Sequence, residues 1–116
     1  MKHEQLTRIN RANTDKIFLL DKNCEDIRCV FKVCGTTKNV YNVSLYYNSG
    51  KVFCNCPDGR GYCKNAGVFC KHICFIILRI FSKLYNLEES RIFDTLLFDP
   101  NEITKIQEFI NKELIY

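Results

Sequence analysis

Runs of alternating apolar and polar residues predict a small antiparallel sheet in the first half of the chain. In the clearest run, Cys29, Phe31 and Val33 lie on one side of a strand and more polar residues lie on the other. The short apolar run at 16–21 is typical of a buried strand, and the Asn-Ser-Gly sequence at 48–50 is typical of a tight hairpin. The predicted strands cover residues 16–21, 27–34, 40–47 and 51–54.

Apolar residues spaced three and four apart predict helices on both sides of this sheet. A short helix at 4–12 would place Leu6, Ile9 and Ala12 on one face. After a loop at 56–67 comes a segment with isoleucines at helical spacing that is apolar almost all round. We therefore predict that this second helix is the central element of the core.

The same spacing predicts additional helices toward the C-terminus. One covers 87–98, and the Asp-Pro-Asn-Glu sequence at 99–102 has the N-cap, proline and glutamate that begin another. The chain has 116 residues and neither a repeat nor a linker, so a single domain, 1–116, is predicted. The predicted fold class is α+β: a hairpin or meander of three to four short strands packed on a central helix, with additional C-terminal helices.

The charge is unevenly distributed along the chain. The net charge is +4, but residues 36–85 carry seven Lys or Arg against Asp58 alone, and residues 86–116 are acidic. A basic middle attracts nucleic acid or an acidic surface. With no apolar run of 18 residues and no signal peptide, we expect no membrane partner and an intracellular location, in cytoplasm or nucleus. The many Asn, Ile, Lys and Tyr residues are typical of an A+T-rich coding genome such as that of a large DNA virus, which would place the protein in a host cell.

Eight cysteines are the strongest chemical signal in the sequence. None of them forms a Cys-x-x-Cys pair, which excludes RING fingers, zinc ribbons and thioredoxin-type redox motifs. Instead, Cys54 and Cys56 form a Cys-x-Cys pair, and Cys70 and His72 form a Cys-x-His pair. Three thiolates and one imidazole complete the tetrahedral shell of one structural Zn²⁺ ion, which predicts a small zinc-stabilised domain.

The predicted elements allow these four residues to converge. The first pair lies at the end of the return strand, and the second pair lies at the start of the apolar helix, where residues two apart can still face one ion. Cys63, followed by Lys64 and Asn65, nearly repeats the Cys-x-His step and is an alternative third ligand, but Cys70 is favoured because the apolar helix follows it directly. The remaining cysteines are expected to be reduced core residues: Cys24, Cys29, Cys34 and Cys74.

This pattern resembles the SWIM-type zinc finger, in which Cys-x-Cys is followed by Cys-x-His after a β-hairpin and before an apolar helix. The segments 31–41, 54–58 and 70–79 are similar to the SWIM branch of cellular ubiquitin ligases, and the resemblance extends over about residues 5–98. No RING follows, because the sequence has no cysteine or histidine after Cys74. The resemblance implies a finger core at about 27–84, a helical extension at about 87–115, and zinc-dependent binding of DNA or protein.

Two kinds of partner therefore remain open, DNA or another protein. For nucleic acid, the residues expected to contact phosphates are basic: Lys38, Lys51, Arg60, Lys64 and Lys71. The alternative is a protein-interaction adaptor linked to the ubiquitin pathway, without ligase activity of its own. An enzyme acting on a small-molecule substrate is not expected, because a Cys₃His shell leaves no open position on the metal for water.

Overall fold

The computed structural model describes residues 3–46 and 51–84 and confirms the α+β class. A four-stranded antiparallel sheet has its strands in sequence order, β1-β2-β3-β4, which is a meander. Helices precede and follow the sheet. The elements are α1 (His3–Thr14), β1 (Phe18–Cys24), β2 (Arg28–Cys34), β3 (Val40–Tyr46), β4 (Val52–Cys54), α2 (Pro57–Arg60), α3 (Tyr62–Ala66) and α4 (Lys71–Leu84).

The core lies between one face of the sheet and α4. The alternation predicted for β2 is confirmed, since Cys29, Phe31 and Val33 are completely buried. Val43 and Leu45 on β3 are buried opposite them, in register with Phe31 and Cys29. From α4 come three buried isoleucines, Ile73, Ile76 and Ile77, in the same cluster. Each large apolar side chain buried in this way stabilises the fold by about 1.5–3 kcal/mol.

Helix α1 packs on α4 through most of the expected apolar face. Ile9 and Ala12 are buried against Cys74, as the spacing predicts, but Leu6 is exposed. Gln5 is buried in place of Leu6, because its amide forms hydrogen bonds with the segment that leads into α4. A polar side chain whose hydrogen bonds are satisfied can thus occupy a buried helical position beside an exposed leucine.

Strand β1 differs from its prediction in both extent and burial. It begins later and runs further, and Leu19 is its only fully buried residue. Because β1 is an edge strand with a register shift between Leu19 and Asp21, Phe18 and Leu20 remain about half exposed. An apolar run is therefore not sufficient evidence for a buried strand when that strand lies at the edge of a sheet.

The longer β1 also overturns one expectation about the cysteines. Cys24 and Cys29 are joined by a disulfide across the β1–β2 hairpin, where they are register partners with Cα atoms 4.0 Å apart. They are therefore not reduced core residues. Cys34 and Cys74 are free, as expected, although Cys34 is only half buried.

The segment between the ligand pairs is more ordered than the predicted loop, because it contains the two short helices α2 and α3. Helix α4 begins at Lys71, which confirms the predicted start of the apolar helix. The predicted hairpin turn at 48–50 and the helices at 87–98 and from 99 onward lie outside the described residues, so these predictions and the single-domain assignment remain predictions. No helix in the described ranges has the length and apolar character needed to cross a membrane.

Candidate metal centre

Four different structural positions bring the predicted ligands to one place. Cys54 is the last residue of β4, and Cys56 lies two residues later at the N-cap of α2. Cys70 immediately precedes α4, and His72 is the second residue of that helix. The meander carries the first pair to the sheet edge, and the apolar face of α4, packed on the sheet, carries the second pair to meet it.

The four side chains form a compact and buried group. One ligand atom from each residue lies within 4.8 Å of every other, and the distance from Cys54 Sγ to His72 Nδ1 is 3.8 Å. Around tetrahedral zinc, with Zn–S of about 2.3 Å and Zn–N of about 2.0 Å, neighbouring ligand atoms would be roughly 3.5–3.8 Å apart. Both the kind of donor atoms and their spacing therefore fit one tetrahedral metal ion. This part of the chain can hold a metal.

Backbone geometry supports the sulfur of Cys56. Pro57 begins α2, and the Gly59 N–H donates to Cys56 Sγ at 3.2 Å. A side chain at Gly59 would not fit, since a Cβ atom there would lie 2.8 Å from the carbonyl oxygen of Cys54. The tight turn therefore needs glycine at this position so that the first ligand pair can close around one point.

The clustered thiols strongly change one another's acidity. Side-chain hydrogen bonds with Cys54, and then with Cys70, hold the pKa of Cys56 far below its ordinary range. The bond with Cys56 raises the pKa of Cys54 to about 12, and the bond with Cys54 also raises that of Cys70. Because zinc binds thiolates and not thiols, metal binding at this cluster would release protons from the cysteines.

Residues around the cluster contact the imidazole ring of His72 and provide a separate hydrogen-bond partner for Cys63. The Tyr41 ring packs at 5.1 Å from that of His72. Cys63 is not a member of the four-residue group; its thiol donates to Asp58 Oδ2 at 3.2 Å, and burial raises its pKa to about 11. The structure thus brings Cys70, and not Cys63, together with the other donors.

Comparison with known proteins adds no family to this geometry. No protein-family model, no curated protein and no solved structure matches the chain. The evidence that this site can bind a metal is therefore the group of four buried donor residues.

Two of the five basic candidates for phosphate contact line one groove, and the other three lie elsewhere in the fold. Arg60 and Lys64 are exposed and line the same groove beside β4. Lys51 precedes β4 and is exposed, and Lys38 is exposed in the β2–β3 turn with a positive φ of 66°. Lys71 is half buried and forms an ion pair with Asp15 at 3.0 Å. Only two of the five therefore line this groove together.

Sequence reasoning missed the role of α1 in supporting the metal centre. Arg8 forms a two-pronged ion pair with Asp58, with its Nε and Nη2 atoms each 2.8 Å from one carboxylate oxygen. The hydrogen bond from Arg8 lowers the pKa of Asp58. Gln5 bonds both the carbonyl and the N–H of Phe69, one residue before Cys70. Nothing in the sequence pairs residues so far apart, although Asp58 is the one acid in the basic segment 36–85.

Proposed function

We propose that this chain is a zinc-stabilised recognition module of the SWIM type and not an enzyme. The observation that carries the proposal is the buried Cys54, Cys56, Cys70 and His72 group, with donors and spacing suited to tetrahedral zinc. A full set of three sulfurs and one nitrogen leaves no coordination position for substrate, so the metal has a structural role.

The metal would join the short strand β4 directly to the N-terminal turn of α4. Strand β4 is only three residues long, and its last residue supplies a ligand that meets the N-terminal turn of α4. Zinc binding in finger-sized modules contributes about 10–16 kcal/mol, as much as the whole stability of a small domain. Removing zinc should therefore unfold the β4–α4 unit.

Native mass spectrometry and far-UV circular dichroism test this role. We expect one Zn²⁺ per chain, and loss of both zinc and the cooperative thermal transition in Cys56→Ser and His72→Ala. Cys34→Ser is the matched control, because Cys34 is a free cysteine outside the cluster and should leave zinc content unchanged. A His72→Ala protein that lacks zinc and keeps a native melting curve would contradict the proposal.

Nucleic acid is the first class of ligand supported by the charge of the module. If all five basic candidates contacted phosphates, binding to single-stranded DNA would weaken with a log–log salt slope of about −3.5, and each lysine-to-alanine change would reduce that slope by about 0.7. Electrophoretic mobility shifts at several salt concentrations measure this. A slope near zero would exclude phosphate contacts as the basis of binding.

Protein is the second class, favoured by the apolar residues that line the groove beside β4. A ubiquitin-pathway adaptor would capture a purified ubiquitin ligase or its substrate without transferring ubiquitin. Zinc-loaded wild type and His72→Ala should then differ in capture. Equal capture by both proteins would argue against a role for the folded module.

A further inference from the structure

Among the described residues, β4 pairs with β3 alone, and its outer edge opens into a groove unlike the other edge of the sheet. The groove has a volume of about 770 Å³ and runs between β4 and the segment from α2 to the start of α4. The opposite edge, β1, has a register shift and carries Asp21 and Lys22, features that discourage pairing with another strand. Strand β4, with the sequence Val-Phe-Cys, has neither feature.

The hydrogen-bond register shows which backbone groups face this groove. Tyr46 N bonds Lys51 O, and Asn55 N bonds Asn42 O, so the pairs that exchange bonds alternate and include Ser44 with Phe53. Val52 must therefore direct its N–H and C=O away from β3. Within residues 3–46 and 51–84 neither group has a hydrogen-bond partner.

The lining of the groove defines a complementary ligand. Val52, Val68 and Ile73 supply an apolar wall, and Arg60 and Lys64 supply positive charge. Among the described residues, no acidic side chain lines the groove. A ligand that matched the unpaired backbone of Val52, the apolar wall and the positive charge would offer backbone hydrogen bonds, alternate apolar side chains and carboxylates.

We propose that this groove binds an extended acidic segment of a partner protein, which adds to β4 as a fifth strand and pairs with the backbone of Val52. The inference rests on the proposed recognition role and names its partner class. Because β4 has three residues, the paired segment is short, and its carboxylates provide the additional attraction through Arg60 and Lys64. Single-stranded nucleic acid would share the charge preference but cannot supply the peptide ladder.

The test is an NMR titration of the full-length, zinc-loaded protein with the peptide acetyl-Glu-Val-Glu-Val-Glu-Val-Glu-amide. We expect the Val52 amide signal to shift on binding. The peptide is also made with methyl groups on the valine nitrogens or on the glutamate nitrogens. Because successive residues of a strand direct their N–H groups to opposite edges, one methylated peptide should bind at least tenfold more weakly and the other should bind like the parent. Equal binding by all three peptides, or no binding, would overturn the proposal.

Charge-reversal variants distinguish a specific contribution of Arg60 and Lys64 to peptide binding from the general attraction of a basic protein for an acidic peptide. Arg60→Glu with Lys64→Glu should weaken binding at least tenfold, whereas Lys32→Glu, an exposed position on β2 that does not line the groove, should change it less than twofold. Equal effects would overturn the proposal, as would displacement of the peptide by a single-stranded oligonucleotide at lower concentration.

Two further outcomes identify other occupants of the groove. Slow hydrogen exchange of the Val52 amide in the free monomer would show that the chain covers its own edge, and a concentration-dependent dimer dispersed by the double charge reversal would show that a second copy does. Either outcome overturns the inference. If the folded, zinc-loaded protein does not bind the peptide, only this inference is refuted. If the zinc-free protein folds and binds the peptide, this inference is supported and the proposed structural role of the metal is refuted.

Discussion

Gly59 shows how one missing side chain shapes the metal centre. Its N–H reaches the sulfur of Cys56 while its α-carbon passes close to the backbone of Cys54. A methyl group here would meet a carbonyl oxygen at 2.8 Å, and backbone cannot move aside as a flexible side chain can. The close approach of the backbone at Gly59 to the backbone at Cys54 therefore holds the first two ligands in place.

Gly59→Ala should consequently weaken both the fold and the metal site. We expect a loss of about 1–3 kcal/mol in the free energy of unfolding, the range typical of overpacking, together with weaker zinc retention against a competing chelator. Gly35→Ala is the matched control, because a Cβ atom there would make an ordinary contact at 3.6 Å. Urea unfolding of the zinc-loaded proteins compares them, and equal stabilities would contradict this explanation.

The Arg8–Asp58 pair predicts a particular dependence of stability on pH. Its bidentate geometry is favourable, but the Asp58 side chain is 43% exposed, so solvent screening limits its contribution to about 1 kcal/mol. The pKa of Asp58 is lowered in the folded state, so this contribution is present above the ordinary aspartate pKa and is lost as the pH falls through the lower folded-state value.

Asp58→Asn should therefore be less stable than wild type by about 1 kcal/mol near neutral pH. The difference should stay constant down to roughly pH 5 and narrow only in more acidic solution, over the range in which both proteins remain folded. Urea unfolding at a series of pH values measures it. A difference that grows on acidification would have the wrong sign for this ion pair.

At the scale of elements, Gln5 of α1 is hydrogen-bonded to both backbone groups of Phe69, just before α4, much as a neighbouring strand would be. The Gln5 amide accepts from Phe69 N–H at 2.7 Å and donates to Phe69 C=O at 3.1 Å. Gln5→Ala would leave both of these partly buried backbone groups without that partner. We expect a loss of about 2–3 kcal/mol, whereas Thr7→Ala, whose hydroxyl bonds an exposed carbonyl of its own helix, should lose less than about 1 kcal/mol. Thermal unfolding distinguishes them, and similar losses would argue against the Gln5 contacts.

The β1–β2 hairpin is closed by the Cys24–Cys29 disulfide, and its contribution to stability should be independent of zinc binding. A loop as short as that between Cys24 and Cys29 contributes about 2 kcal/mol in the chain-entropy model. Replacing both residues by serine and alanine, Cys24→Ser with Cys29→Ala, should lower stability by about that amount and leave one zinc per chain in native mass spectrometry. Loss of zinc in this variant would show that the hairpin and the metal site are coupled.

Elements governed by local periodicity were predictable, and those governed by their neighbours were not. The alternation at Cys29, Phe31 and Val33 gave β2 and its buried face, and the isoleucine spacing gave α4. The burial of β1 was not predictable, because the order of strands in the sheet decides which strand lies at the edge. The Cys24–Cys29 pair was missed because it depends on how far β1 extends, and the predicted strand ended three residues before Cys24.

At the scale of the whole molecule, the four candidate ligands could be found from spacing because zinc chemistry restricts both residue type and separation. Their support from α1 could not be found in this way, because Gln5 and Phe69 are 64 residues apart and are linked only by the packing of α1 on α4. Chemistry within a motif can be inferred from sequence, while contacts between distant elements depend on the fold.

This arrangement of near and distant contacts sets an expected order of folding. The meander pairs each strand with the next along the chain, so the sheet can form from short-range closures. Helix α1 precedes the other described elements along the chain, yet it packs on Cys74 of α4, which is distant in sequence. We therefore expect α1 to be the last described element to gain protection in pulse-labelling hydrogen exchange, and its early protection would refute this order.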